Sequence, residues 1–486
     1  MEYGERLESA NMRIGSEPLV NPLTVQAFDS LTEQMQVVGP GAIAKLYVCG
    51  ITPYDATHIG HANTYVAFDL LNRAWRAAGK QVVYTQNITD VDDPLLERAT
   101  ATGVDWRELA ASQMELFAGD MAALDVIAPE NWIPVTKAMP DIIEAITLLL
   151  RSGAAYFVSD RAPDEKTEIT GFNCETDTSK GSFRDIYFDI TTDADFGVLS
   201  GYRKPKMLEL FAERGGDPGR PGKRNPLDPL LWRAHRPSEP SWEGGALGQG
   251  RPGWHIGCTV IAGETLGEHF DVLAGGSDLL FPHHEMSESL FRVLLANGWL
   301  ATPKPATSEA AKSEFAPAAT PAQSQAELAN PTPNPARRFS PPDCVGAHAF
   351  LHSGMVSYQG TKMSKSLGNL VIVSDLIAGG VDPMAIRLAL LAHHYRSDWE
   401  WTDAVLAEAQ QRLETWRHAA WTEPGQLPAE ATNSHFHQTT SALRAAIQDD
   451  LNAPSALEIV DEYLANTNQP SWAVKESIEA LLGVTL

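Results

Sequence analysis

The stretch "KLYVCGITPYDATHIGHANTYVAFDLLNRAWRAAGKQVVYTQNITD", Lys45–Asp90, decides the fold. Lys45–Gly50 is a short apolar run that ends at a glycine, as a buried strand does. His61–Lys80 carries its apolar residues at helical spacing, and Gln81–Asp90 returns to a strand pattern with a polar exit. Strand, helix and strand with short joins make a βαβ unit, so the sequence predicts an α/β fold of Rossmann type around a parallel sheet. The turn after the first strand, "CGITPYDATHIGH" (Cys49–His61), holds a thiol and two imidazoles. It reads either as a core strand with a polar exit or as the corner of a site that grips a metal at one end and a phosphate at the other.

Outward from this unit, residues 1–45 read as an N-terminal extension, and 46–158 as the first half of the catalytic domain. Residues 159–250 are irregular and rich in Gly, Pro and charge, which suits an inserted subdomain. "HFDVLAGGSDLLFPHHE" (His269–Glu285) reads as a strand, a Gly-rich loop and a helix. The sheet is therefore expected to resume over 251–300. Residues 301–342, rich in Ala and Pro and poor in large apolar side chains, cannot build a core and are expected to be disordered. Residues 343–405 form a region around a lysine loop, and 406–486 a C-terminal helical domain.

Lys+Arg 37 against Asp+Glu 62 gives a formal net charge of -25. That disfavours general nucleic-acid binding, which needs phosphate neutralisation by Lys and Arg. The four cysteines, Cys49, Cys174, Cys258 and Cys344, are too dispersed for a disulfide framework. The first residues lack the pattern of a secretory leader, and no run approaches a membrane span. A cytoplasmic enzyme, acting as a monomer without a membrane, is the expectation.

His58 and His61 sit between a strand and a helix, where backbone N–H groups favour anions. Two imidazoles there can hydrogen-bond a triphosphate and stabilise charge during attack at the α-phosphorus. Alone, the pair equally suits an ordinary turn. "GTKMSKSLGN" (Gly360–Asn369) places Lys362 and Lys365 in a Gly-bounded loop, and mobile ammonium groups suit a leaving pyrophosphate. The two motifs, far apart and in this order, resemble the ATP-binding signatures of the class I aminoacyl-tRNA synthetases. The resemblance implies ATP, with magnesium, as a substrate, and His58, His61, Lys362 and Lys365 as catalytic groups.

Cys49, Cys258 in "GWHIGC", and His283, His284 and Glu285 in "FPHHE" are candidate metal ligands. Cys, Cys and His are donors that zinc prefers, and three good ones leave a fourth position open. Either cysteine alone reads as a buried free thiol. "NITDVDD", "GRPGWHIGC", "GGSDLLFPHHE" and "KMSKSLGN" resemble cysteinyl-tRNA synthetase. That resemblance implies one zinc per chain, held by Cys49, Cys258 and His283, that recognises the thiol of L-cysteine. It has two departures: Ser287 stands where the synthetases carry a glutamate, and Gly257 where a glutamate is usual.

The chain stops soon after "DDLNAPSALEIVDEYL" (Asp449–Leu464), Pro94 and Glu97 replace the lysines usual in the synthetases, and the charge is acidic. With "ERGGDP" (Glu213–Pro218), these features resemble the relatives that ligate cysteine to glucosaminyl-inositol in mycothiol biosynthesis. The implied partners are L-cysteine, ATP and glucosaminyl-inositol, with no tRNA. The implied cysteinyl-adenylate contacts are Cys49, Gly50, Ile51, Thr52, Thr64, Asn87, Ile88, Thr89, Trp254, Gly276, Ser277, Asp278 and Val356. A cysteinyl-tRNA synthetase, or a non-catalytic zinc- and nucleotide-binding paralogue, are the alternatives.

Overall fold

The computed structural model describes residues 24–54, 57–159, 184–301, 345–363, 368–422 and 435–486. Lys365, Cys174, Cys344 and nearly all of 301–342 lie outside the described residues.

A hairpin of β1 (Val25–Asp29) and β2 (Gln34–Val38) leads into β3 (Ile43–Val48). Helix α1 (Ile59–Ala77) then crosses to β4 (Gln81–Ile88), which pairs parallel to β3. Helices α2 (Asp93–Thr102) and α3 (Trp106–Ala123) precede the edge strand β5 (Asn131–Pro134). Helix α4 (Met139–Ser152) ends at Gly153, whose φ of 81° provides the left-handed stop.

The inserted part forms a separate antiparallel sheet in the order β6-β7-β8-β10-β9. Its strands are β6 (Ala155–Ser159), β7 (Arg184–Phe188), β8 (Leu230–Ala234), β9 (Trp242–Glu243) and β10 (Gln249–Pro252), with helix α5 (Lys204–Glu213) between β7 and β8.

The main sheet resumes with α6 (Trp254–Leu266), β11 (His269–Gly276) and α7 (Glu285–Ala296). It is completed by β12 (Gly346–Ser353), giving the parallel order β12-β11-β3-β4-β5. The outer strand therefore lies beyond the 251–300 segment over which the sheet is expected to resume, in the region around the lysine loop. "GAHAFLHS" spaces its polar residues irregularly, so its period is a weak strand signal, and the pairing with β11 decides it.

A small sheet of β13 (Val356–Tyr358), β14 (Thr361–Lys362) and β15 (Trp399–Trp401) carries the base of the lysine loop. Around it come α8 (Val373–Ala378), α9 (Pro383–Leu391), α10 (Asp403–His418), α11 (His435–Gln448), α12 (Ala453–Ala465) and α13 (Trp472–Leu482). The C-terminal helices pack on the back of α1. Buried Asp69 of α1 pairs with Arg73 and with Arg387 of α9, whose Nε donates to Leu482 O at 2.6 Å. Burial alone would raise the Asp69 carboxyl, but the two guanidiniums hold it below its ordinary value.

Candidate active site and metal centre

The functional side chains gather at the carboxyl ends of β3, β4, β11 and β12, where a doubly wound sheet binds its ligands. Val48 pairs with Ala274 and Gln86, and Gly276 with Ser353, so the four strand ends share one rim. A cavity of about 290 Å³ opens on that rim.

Of the residues expected at the site, Cys49, Gly50, Ile51, Thr52, His58, His61, Thr64, Trp254, Gly276, Asp278, Val356 and Lys362 line this cavity. Asn87, Ile88 and Thr89 are buried behind the wall. Asn87 Oδ1 accepts from the Gly50 N–H at 2.8 Å, and the Thr89 N–H donates to Ile51 O at 2.9 Å. They fix the strand exit from behind. Gly50 is required there, because a Cβ would fall 1.7 Å from Asn87 O. Ser277 lies in the turn after β11, outside the cavity lining.

His58 caps α1, its Nδ1 accepting from the Gly60 N–H at 3.0 Å. That leaves Nε2 as the protonated nitrogen of the neutral ring. The His61 ring stacks on it at 3.8 Å, and burial lowers its pKa to about 4. Burial thus favours the neutral form of the His61 ring, and the helix cap engages Nδ1 of His58 and not its Nε2. The Ile59 N–H donates to Val371 O at 2.9 Å and the Val373 N–H to Thr57 O at 3.0 Å, which ties the histidine turn to the chain leaving the lysine loop. At the loop's other end Lys362 Nζ lies 3.3 Å from Asp278 Oδ2.

Beneath Cys49 lies the metal candidate. One ligand atom each from Cys49, Cys258 and His283 falls within 4.8 Å of the others, and all three residues are buried. His283 Nε2 is 3.2 Å from Cys258 Sγ, and its Nδ1 is 3.0 Å from His255 Nδ1. Trp254 stacks on His283 at 4.5 Å between ring centres. Burial and the neighbouring sulfur push Cys49 up, while the hydrogen bond from Cys49 and the nearby His283 push Cys258 down. Two sulfurs and an imidazole in a dry pocket match zinc's preferred donors. Ser287 adds no ligand: its hydroxyl lies 3.4 Å from His255 O. Gly257 packs on Val135, whose Cγ2 would lie 3.0 Å from an added Cβ.

Several site residues carried no signal of their own in the sequence. Tyr54, Tyr65, Leu279, Met355 and Met363 line the cavity as ordinary apolar positions. His352 is joined to the site only by the fold: its Nε2 is 2.9 Å from His284 Nδ1. Glu285, in the histidine-rich run, faces away from the metal candidate and accepts from the Gly197 and Ser200 N–H groups at 2.8 Å each.

The parallel sheet, the capping histidine pair and the lysine loop define a class I synthetase catalytic domain. The model of the "tRNA synthetases class I (C) catalytic domain" family matches residues 34–302 and 336–411. The fold is shared with a methionyl-tRNA synthetase of Mycobacterium tuberculosis in complex with methionyl-adenylate, at TM-score 0.52 and 15% identity over 91% of this chain and 88% of the other. Agrobacterium radiobacter LeuRS, in a ternary complex with tRNA, aligns at TM-score 0.54 and 11% identity, over 91% and 83% of the two chains. Much nearer in sequence are proteins named L-cysteine:1D-myo-inositol 2-amino-2-deoxy-alpha-D-glucopyranoside ligase. That of Sanguibacter keddieii is 51% identical over 95% of this chain and 96% of its own length, and that of Xylanimonas cellulosilytica 48% over 96% of each. The chain belongs to this ligase family within the class I synthetases.

Proposed function

We propose that this chain activates L-cysteine with ATP and transfers it to the amine of glucosaminyl-inositol. The observation that carries the reading is Cys49. It lines the same cavity as His58, His61 and Lys362 and belongs to the Cys49–Cys258–His283 cluster. A substrate thiol and a triphosphate then meet at one strand end.

Cysteine binds with its thiol toward Cys49, Cys258 and His283, the residues that would hold zinc. When bound, zinc favours thiolate over hydroxyl as a ligand and so distinguishes cysteine from serine. A cysteine carboxylate oxygen attacks the α-phosphorus of magnesium-bound ATP. The new O–P bond forms as the bond to the pyrophosphate oxygen breaks. His58 and His61 donate N–H groups to phosphate oxygens, and Lys362 with Lys365 neutralises the departing pyrophosphate. Holding the two substrates in line supplies much of the remaining acceleration.

In the second step the glucosamine nitrogen attacks the acyl carbon. The amide bond forms, AMP leaves with the bonding pair, and the nitrogen gives up a proton to solvent. Trp254, stacked on His283, would flank the cysteinyl end, and Asp278, beside Lys362, would face the nucleotide.

The test has two parts. Purified protein is expected to show cysteine-dependent ATP–pyrophosphate exchange, with serine at least 100-fold poorer. Added glucosaminyl-inositol should then consume the adenylate and yield the amide with AMP. Transfer to tRNA in place of glucosaminyl-inositol, or absence of exchange, overturns the reading.

A further inference from the structure

"ERGGDP" (Glu213–Pro218) begins at the last residue of α5, in the inserted part of the chain. Arg214 leaves the helix end and donates through one guanidinium nitrogen to the carbonyl oxygens of both Asp278 and Phe281. Those carbonyls belong to the turn between β11 and α7. The same turn presents the Asp278 carboxylate to Lys362 Nζ at 3.3 Å and leads directly into His283. Gly276 opens this turn, and a Cβ there would lie 2.7 Å from Asp278 Oδ1, so the carboxylate sits close over the backbone.

Within the motif, Asp217 anchors the chain that follows Arg214. Asp217 accepts from Tyr187 OH and, at 2.9 Å, from Lys223 Nζ. Lys223 also donates to Pro226 O at 2.8 Å and lies 4.9 Å from the centre of the Phe211 ring. At the far end of the turn, Glu285 is bonded to Gly197 and Ser200 of the same inserted part. The turn is held at both ends by a segment that, among the described residues, contributes no lining residue of its own to the cavity.

We propose that Arg214 is a positioning residue for adenylate formation. By bridging two carbonyls it sets the turn so that the Asp278 carboxylate meets Lys362 at the rim of the cavity. A guanidinium presents its donors in a fixed plane, whereas a lysine ammonium rotates freely on its stem and sets its acceptors with less geometric definition. The inference rests on the proposed activation of cysteine by ATP.

The experiment is a double-mutant cycle of wild type, R214M, D278N and R214M/D278N, read in ATP–pyrophosphate exchange and in the dissociation constant of ATP alone. R214M is expected to lower kcat at least 10-fold and to weaken ATP at least 5-fold, with KM for cysteine within 2-fold and bound zinc unchanged. In the D278N background the same change should cost under 3-fold in kcat and under 2-fold in ATP affinity. R214K should recover part of the loss, and it serves as the second variant if R214M folds poorly. Equal losses in both backgrounds, or R214M at wild-type kcat and ATP affinity, overturn the proposal. The ATP-binding cycle needs no amino acid, so it decides the role of Arg214 even if cysteine-dependent exchange fails and the activation reading falls.

Discussion

His284 Nε2 lies 3.2 Å from Cys49 Sγ, at the end of a buried chain that begins with a serine. Ser30 Oγ is 2.8 Å from His352 Nδ1, and His352 Nε2 is 2.9 Å from His284 Nδ1. Two opposite sets of proton positions satisfy every link, one running from Ser30 to the Cys49 sulfur and one back from the Cys49 thiol to Ser30. With Cys49 as a metal-bound thiolate only the first remains, in which Ser30 donates to His352, His352 to His284, and His284 to the sulfur. A donor to the sulfur favours thiolate and fixes its direction. Outer partners of this kind typically change metal affinity 10–100-fold when removed. His284→Ala is therefore expected to weaken zinc binding by about 10–100-fold, measured by competition with a chromophoric chelator. Cobalt-loaded protein should show a weakened thiolate-to-metal charge-transfer band. Unchanged zinc affinity would remove His284 from this role.

The same chain makes stability sensitive to acid. Burial lowers the pKa of His352 from 6.5 to about 4 and also lowers that of His284. The unfolded chain binds these protons more readily than the native one. The stabilising contribution is thus complete above pH 6.5 and is lost as pH falls toward 4. Each such proton contributes a slope of about 1.4 kcal/mol per pH unit within that window. Urea unfolding at pH 7, 6 and 5 should show a steady loss, with a shallower slope in His352→Gln. A pH-independent midpoint across this range contradicts the prediction.

Much of the architecture was legible because it is local. The run from Lys45 to Asp90 shows its two strands and helix in hydrophobic period alone, and the structure pairs β3 with β4 in parallel. Donor type marked a pool of metal candidates, since Cys is scarce and its chemistry narrow, but the choice of His283 over His284 and Glu285 came from the family resemblance, and the fold brings that choice beside Cys49 and Cys258. What stayed hidden depends on contacts across hundreds of residues. Strand β12 acquires its place from pairing with β11. Ser30 and His352, 322 positions apart, carry no mark that joins them. Arg214 in "ERGGDP" could be quoted as a signature, but the carbonyls it holds belong to a different part of the chain.

Gly50 tests the wall behind the cavity. An alanine Cβ there would lie 1.7 Å from Asn87 O and 3.3 Å from Gln86 Cγ, and the first of these is backbone that cannot rotate away. Gly50→Ala must separate β3 from β4 at the strand exit. The expected cost is about 1–3 kcal/mol of stability, seen as a lowered urea midpoint. Exchange activity should fall at least 10-fold, because Cys49 and Ile51 move with the backbone. A variant with both properties unchanged would show that the exit is not rigid.

Lys362 separates charge stabilisation from folding. Its side chain is 60% exposed, and its partner Asp278 is 37% exposed. An ion pair so open to water contributes roughly 0–1 kcal/mol to stability. Lys362→Met is therefore expected to leave the melting temperature within about 4 °C of wild type, taking roughly 2–4 °C per kcal/mol for a domain of 150–250 residues. Its effect on chemistry should be far larger. Removing one donor aimed at developing charge typically costs about 10²–10³ in kcat, and the loss should fall on ATP–pyrophosphate exchange. Transfer from preformed cysteinyl-adenylate to the acceptor amine involves no pyrophosphate, so single-turnover transfer should change less than 5-fold. If exchange and transfer decline together, Lys362 acts on the shape of the cavity and not on the leaving group.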